Sequence, residues 1–314
     1  MRLLITGCAG FIGSHVCEAL LKRGDSVVGV DDLNDYYDVK NKEKNLATLK
    51  HKNFKFFKED IRNYEELRKI FDKEKPDKVV HIAARAGVRP SIQFPLLYQQ
   101  VNVGGTLNLL DLAKDFKVKS FVFASSSSVY GNQKKTPFSE TDNVDNPISP
   151  YAATKKAAEL LCHTYHHLYK MKITCLRFFT VYGPRGRPDM APYLFTDLIS
   201  KGKPIHKFGD GTTQRDYTYI ADIVKGVIVA IDRELDFEII NLGNNKPVML
   251  NDFIQVIEKT TGKKAIIKEM PMQPGDVDIT YADISKASKL LGYKPETSIE
   301  EGMKKFVEWY KENV

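Results

Sequence analysis

Short apolar runs alternate with amphipathic stretches through the first half of the chain. Residues 3–6 form an apolar run of strand length, and residues 12–22 place apolar positions at helical spacing before a stop at Gly24. Residues 26–30 are β-branched and end on Asp31-Asp32, residues 54–57 lead into Asp60, and a helical pattern over 64–71 precedes a buried strand over 78–84. The pattern then predicts a long helix over 91–116 with a break near Pro95, a strand over 120–125, a helix over 151–170 and a strand over 173–179. Alternation at this spacing predicts an α/β fold, a doubly wound parallel sheet covered by helices on both faces.

Past about residue 181 the pattern changes. Turn-rich stretches at 183–188 and 209–211 flank one helical segment near 194–200, and a strand at 237–242 is placed to return to the sheet. Helices near 250–260, 283–291 and 299–309 finish the chain. The expected division is a Rossmann-like domain over 1–180 and a smaller, partly discontinuous lobe over 181–314, because 314 residues exceed one ordinary core.

Composition narrows the function classes. An apolar share of 42% with 28% charged residues is that of a globular protein. An apolar strand directly after Met1, and no apolar run approaching ~18 residues, predict a cytoplasmic protein without leader or membrane span. Cys8, Cys17, Cys162 and Cys175 show no C-x-x-C pair and read as small buried hydrophobes. The net charge of +7 is spread as Lys mixed with Asp and Glu, with no basic stripe for nucleic acid, although it favours a phosphorylated substrate. His163, His166 and His167 share one helix, but carboxylate companions at matching spacing are absent, so no metal is expected.

The first strand runs into Gly7-Cys8-Ala9-Gly10-Phe11-Ile12-Gly13, a G-x-x-G-x-x-G loop that opens a helix. Gly7 permits the tight turn, Gly10 lets backbone approach a pyrophosphate, and Gly13 brings helix and strand together, with free N–H groups facing the phosphates. Asp31 ends the second strand, 18 residues past Gly13. A carboxylate there accepts from the adenosine ribose hydroxyls and repels a 2′-phosphate, and no Arg flanks it, so NAD is preferred to NADP. Asp60 and Ile61, ending the third strand, are expected at the adenine.

Tyr151 and Lys155 lie on one helical face at i, i+4. A phenol with pKa ~10 is a poor base at neutral pH. A lysine ammonium beside it, joined by a cationic nicotinamide, stabilises the phenolate. Reaching a pKa near 7 takes roughly 4 kcal/mol of differential stabilisation. The pair therefore points to redox chemistry at a hydroxyl-bearing carbon.

The glycine loop, the Tyr151/Lys155 pair, the run Ser125-Ser126-Ser127-Ser128-Val129-Tyr130-Gly131 and the stretch Arg177-Phe178-Phe179-Thr180-Val181-Tyr182-Gly183-Pro184 resemble the extended short-chain dehydrogenase/reductase superfamily, in its NAD-dependent sugar epimerase/dehydratase family. Asn34-Asp35-Tyr36-Tyr37-Asp38-Val39, Ala86-Gly87-Val88-Arg89, Arg187-Pro188-Asp189-Met190-Ala191 and Met272-Gln273-Pro274-Gly275-Asp276-Val277 are similar to the UDP-glucuronate 4-epimerases in particular. The resemblance implies oxidation and reduction at C4 of a UDP-sugar, an isomerase reaction through a 4-keto intermediate. Tyr151 would be the base, assisted by Ser126, with Lys155 tuning it and bonding the nicotinamide ribose. It also implies that NAD is contacted by Gly7, Gly10, Phe11, Ile12, Gly13, Asp31, Asp32, Asn34, Asp60, Ile61, Ala83, Ala84, Arg85, Asn102, Ser125, Tyr151, Lys155 and Phe178.

Sister chemistries differ in the serine run. Sugar 4,6-dehydratases carry an Asp-Glu acid/base pair before the valine, and uronate decarboxylases commonly carry Glu there. Ser127 and Ser128 have no useful acidity, so elimination loses support. Hydroxyls at Ser127, Ser128 and Thr180 are candidates to hold a substrate carboxylate out of the alignment that releases CO₂. Thr180 departs from neutral-sugar epimerases, where Asn is usual. Arg89 and Arg185 are candidate carboxylate or phosphate partners. By resemblance Arg215 clamps the pyrophosphate, Phe208 packs near uracil and Asp276 contacts a ribose. Gln273 stands where a second phosphate arginine is usual, leaving Arg185 or Arg187 to substitute. The alternatives are a UDP-glucose or UDP-N-acetylglucosamine 4-epimerase and a UDP-glucuronate decarboxylase. A homodimer through the 151–170 helix and the helix containing Asn102 is implied by resemblance alone.

Overall fold

Strand β1 (Arg2–Thr6) is buried almost from its first residue, and it organises a seven-stranded sheet. The computed structural model describes residues 1–271 and 278–314, which divide into two compact units. Unit 1 comprises Met1–Gln133, Thr141–Phe178 and Val224–Ile240; unit 2 comprises Lys134–Glu140, Phe179–Ile223 and Asn241–Val314.

Along unit 1 the chain runs β1, α1 (Phe11–Arg23), β2 (Ser26–Asp31), α2 (Val39–Ala47), β3 (Phe54–Lys58), α3 (Tyr64–Glu74) and β4 (Lys78–His81). It continues through α4 (Val88–Gln93), α5 (Pro95–Tyr98), a π-helical turn (Gln99–Gly104), α6 (Gly105–Asp115), β5 (Ser120–Ser126), α7 (Pro150–Tyr169) and β6 (Ile173–Phe178). The strand order is β3-β2-β1-β4-β5-β6, with a seventh strand, β10 (Phe237–Leu242), beside β6. The first six pair in parallel. Order reverses between β1 and β4, so their carboxyl ends open a crevice, the usual ligand site of open α/β sheets. Leu4, Val28, Val79, Phe121 and Ile173 pack under Leu110, Leu112 and Cys162 in one buried core.

Unit 2 holds β7 (Thr180–Tyr182), α8 (Ala191–Ser200), β8 (Pro204–Phe208) and β9 (Gln214–Tyr219). Helix α9 (Ile220–Arg233) and strand β10 lead on to β11 (Pro247–Met249), α10 (Leu250–Thr261), β12 (Ile266–Met270), β13 (Ile279–Thr280), α11 (Ser285–Leu291) and α12 (Ile299–Asn313). Strand β9 pairs with β7 and β13 in parallel and with β11 antiparallel, while β8 pairs with β12. Tyr217 stacks on Phe253 at 4.3 Å between ring centres, anchoring α10 to this small sheet.

Three features depart from the sequence pattern. The expected helix over 91–116 is broken into two short helices, a π turn and α6. Pro95 starts α5, and Phe94 before it leaves the helical region at φ −127°, ψ 51°, as pre-proline sterics favour. The strand expected over 78–84 ends at His81, and residues 82–87 form a loop. Helices α2 and α9 and the strands β7, β8, β9, β11, β12 and β13 have no counterpart in the elements expected from the sequence.

Candidate active site

The glycine loop closes through contacts that no larger residue allows. Gly7 is left-handed at φ +72°, and its N–H donates to Val30 O at 2.8 Å. A Cβ on Gly13 would lie 2.0 Å from Gly7 O, so α1 can begin here only with glycine. A Cβ on Gly10 would meet only the Gly7 carbonyl, at 3.2 Å, leaving the space above the loop open. Helix α1 starts at Phe11 with no side-chain cap, so the amides of its first turn, Phe11 and Ile12 among them, face outward unclaimed by the helix. An open glycine cradle with free amides fits a dinucleotide pyrophosphate.

Asp31 is buried at the end of β2, where Oδ2 accepts from Ala9 N at 3.1 Å and Oδ1 from Leu33 N at 2.9 Å. Each oxygen keeps a further lone pair for a ribose hydroxyl. Burial raises the Asp31 pKa against the pull of the Leu33 amide, Lys42 and the Ala9 amide, with Asp32 adding a like charge. Asp32 accepts from Asn34 N and Nδ2 at 3.0 and 2.6 Å, which folds the chain into a tight turn. Helix α2, absent from the sequence-based expectation, brings two further residues. Lys42 is buried and donates to Asn34 O at 2.7 Å, its pKa lowered by burial against Asp31 and Asp32. Asn45 donates to Ala9 O at 2.9 Å and steadies the glycine loop. No motif spacing marks either. Asp60 is gripped by its neighbour Arg62; burial opposes its charge, but Arg62 outweighs that and holds its pKa low. Ile61 is buried beneath Gly105.

A directional network runs from β1 into the π turn. Thr6 Oγ1 accepts from Ala83 N at 3.2 Å and contacts His81 Nδ1 at 2.7 Å. His81 Nε2 contacts Thr106 Oγ1 at 2.9 Å, and that hydroxyl donates to Asn102 O. With the Thr106 hydrogen so used, His81 must donate from Nε2 and accept at Nδ1, the neutral tautomer. Burial, with Lys155 nearby, lowers the His81 pKa to about 3. Asn102 Oδ1 accepts from Arg85 N at 2.8 Å, and Nδ2 donates to Arg85 O at 3.0 Å and Thr154 Oγ1 at 3.1 Å. Ala83, Ala84 and Arg85 thus line a loop fastened at both ends.

Helix α7 opens with Ser149 as cap, accepting from Ala152 N at 3.1 Å, and with Pro150 at its first position. Tyr151 therefore sits in the first turn, its ring edge-on to Tyr98 at 6.3 Å. One turn on, Lys155 is buried, donates to Ala124 O at 2.8 Å and lies 4.9 Å from the Phe123 ring centre. Burial pushes its pKa down to about 8, with Cys162 and Glu159 pulling upward. Ser126 ends β5, accepts from Ser128 N at 3.2 Å and lies 3.2 Å from Ser128 Oγ. Ser125 faces the other way, as strand alternation requires, and its hydroxyl is taken by Glu159 at 2.6 Å. Phe178 ends β6, and Ser127 opens the short helical turn after β5. Arg89 is exposed in the first turn of α4.

In unit 2, Thr180 opens β7, and Arg215 lies on the paired strand β9 with Nη1 donating to Gln214 O at 2.9 Å. Phe208 ends β8. Arg185 is left-handed at φ +63° in the turn after β7. Arg187 is spent on Asp189, which it grips through Nε and Nη2 at 3.0 and 2.6 Å. Asp276 and Gln273 lie outside the described residues. His163 packs edge-on to Phe237 at 5.1 Å, and His166 bonds Met171 O, so both are occupied in packing.

The cradle, the acidic strand end and the Tyr151/Lys155 helix define an SDR-type epimerase/dehydratase fold. The chain belongs to the GDP-mannose 4,6 dehydratase family, which it matches over residues 4–306. A UDP-glucuronate 4-epimerase of Thermodesulfobacterium geofontis is 53% identical over 313 residues, 99% of this chain and 96% of that protein. The crystal structure of a UDP-glucuronic acid 4-epimerase from Bacillus cereus, in complex with UDP-glucuronic acid and NAD, is similar at a TM-score of 0.93 and 39% identity, covering 100% of both chains. A UDP-glucose 4-epimerase of Thermotoga maritima with UDP-glucose gives a TM-score of 0.91 at 34% identity, covering 99% of both.

Proposed function

We propose that this protein is an NAD-dependent isomerase that interconverts UDP-glucuronate and UDP-galacturonate at C4 of the sugar. The observation that carries the reading is 53% identity, over the full chain, to a UDP-glucuronate 4-epimerase. Bound NAD would supply the hydride acceptor and donor for C4, with the 4-keto sugar turning over between the two transfers so that its opposite face is reduced. Gly7–Gly13 and Asp31 are the residues suited to hold NAD, through amides for the pyrophosphate and a carboxylate for the ribose.

Tyr151 takes the proton from the C4 hydroxyl and gives it back, with Ser126 bonding the same oxygen. Lys155, one turn away, stabilises the phenolate by its charge. With a pKa of about 8 it is still mostly protonated at neutral pH. Ser127, Ser128 and Thr180 bind the C6 carboxylate, and Arg215 the pyrophosphate. Residues 1–180 are thereby the domain for the cofactor and the reacting end of the sugar, and residues 181–314 the lobe for the rest of the UDP-sugar. The protein is inferred to be a cytoplasmic homodimer. Four buried cysteines carrying thiols rather than bridges favour a reducing compartment. Exposed Leu107, Leu160 and Leu168 on α6 and α7 favour the dimer, which light scattering checks.

Purified protein is incubated with UDP-glucuronate without added NAD, and the sugar configuration is followed by NMR. A galacto-configured product is expected, and Tyr151→Phe should lower the rate at least about 100-fold. Turnover of UDP-glucose as fast as of UDP-glucuronate would replace this reading with a neutral-sugar epimerase; release of CO₂ and a UDP-pentose would replace it with a decarboxylase.

A further inference from the structure

Glu159 and Arg177 take no part in the chemistry above, yet both side chains are 1% exposed in unit 1. Arg177 Nε and Nη2 each donate to Glu159 at 2.8 Å, a two-pronged contact between β6 and α7. Ser125 of β5 donates to the same carboxylate at 2.6 Å. Glu159 lies one turn beyond Lys155 on α7, and Lys155 donates to Ala124 O of β5 at 2.8 Å. Two consecutive turns of α7 are therefore fastened to two consecutive residues of β5, and the next residue of that strand is Ser126. Apolar side chains of similar volume hold a helix to a sheet as well as a buried ion pair does, or better. A charged pair placed directly behind the reacting lysine calls for a task that apolar packing cannot perform.

We propose that Glu159, held by Arg177 and Ser125, is a positioning residue for Lys155: it sets the register of α7 against the end of β5 and supplies the negative field in which the buried ammonium is kept. Glu159 and Cys162 face Lys155 from its own helix, where Tyr151 lies one turn before it, His81 faces it from β4, and the Phe123 ring and Ala124 carbonyl from β5. Arg177 on β6 stands behind the carboxylate. His81 is neutral above about pH 3 and brings no charge. Glu159 therefore opposes the burial that drives Lys155 toward its neutral form. Without the carboxylate Lys155 deprotonates at lower pH, and the descending limb of the pH–rate profile moves to lower pH with it.

The test uses Glu159→Gln/Arg177→Met, which removes both charges so that neither is left alone, and Arg177→Lys, which keeps the cation but loses the fork. Melting curves first establish that each variant folds. In ¹⁵N-lysine NMR titrations, the Lys155 signal (assigned by its loss in Lys155→Arg) should titrate about one pH unit lower in the double variant than in the parent. The kinetic arm rests on the reaction proposed above. There kcat should fall at least about tenfold in both variants while KM for UDP-glucuronate stays within about twofold, because misplacement at the reacting centre costs rate more than binding. The descending limb should move only in the double variant. A folded double variant with parental Lys155 titration overturns the proposal, as does Arg177→Lys with parental kcat should the double variant not fold. A parent that leaves UDP-glucuronate unchanged removes the proposed reaction, and the Lys155 titration then decides this proposal by itself.

Discussion

Glu159 in unit 1 and Asp216 in unit 2 are both buried carboxylates, and the two are satisfied in opposite ways. Glu159 in unit 1 meets a full counter-charge, the Arg177 guanidinium, plus one hydroxyl. Asp216 in unit 2 meets only dipoles: the amides of Asn244, Asn245 and Ala282 at 2.6, 3.0 and 3.1 Å, and Thr218 Oγ1 at 3.0 Å. Burial raises the Asp216 pKa against those four donors. A set of amides can gather loops around an anion, and at Asp216 it ties residues 244–245 and 282 to β9. A counter-ion does something else: it joins two rigid elements with a fixed orientation, which suits the helix that carries Tyr151 and Lys155.

Breaking the first arrangement should cost most. Arg177→Ala leaves Glu159 buried without its counter-ion, and should destabilise the protein by about 3–5 kcal/mol in urea melts. Asp216→Asn keeps the volume of the second carboxylate but turns one acceptor into a donor facing donors. A loss of about 2–3 kcal/mol is expected, and a loss equal to that of Arg177→Ala would erase the distinction drawn here.

His81 supplies a third mode, a titratable group housed in its neutral form. Its folded pKa of about 3 lies below the ordinary 6.5, so the unfolded chain binds the extra proton first as pH falls. Stability is thus fully present above pH 6.5 and should drop by about 1.4 kcal/mol per pH unit below it. His81→Gln should flatten that slope, measured as melts between pH 7 and 5. The smallest effect is expected at the C-terminal cap of α7. Lys170 caps the helix in the left-handed region at φ +54°, and Lys170→Gly should gain about 0.5–1 kcal/mol.

What could be read from the sequence was what local geometry fixes. The glycine loop, Asp31 at a strand end and the i, i+4 pair Tyr151/Lys155 each have a spacing set by one turn or one strand. Glu159 and Arg177 are 18 residues apart and look separately like surface charges. The available signal was Arg177 itself, a lone cation in the strand Ile-Thr-Cys-Leu-Arg-Phe, which requires a buried partner. Lys42 carries no sequence signal because α2 is too polar to show a helical stripe. Helix α9 carries a clear one at Ile220, Ile223, Val224, Val227 and Ile231, set between turn-rich flanks that dominate the pattern of that region. The break at Pro95 was visible, whereas the π turn behind it has no compositional mark beyond Gly104-Gly105.

That π turn amounts to one residue more than an α-helix needs, tolerated in the middle of a shaft. Excising a single residue from 99–104 would let the coil run on smoothly, and would also swing everything before the splice by about 100°. Asn102 could then no longer brace the Arg85 backbone while touching Thr154. The chain carries the surplus residue where a smoother helix would let go of the loop.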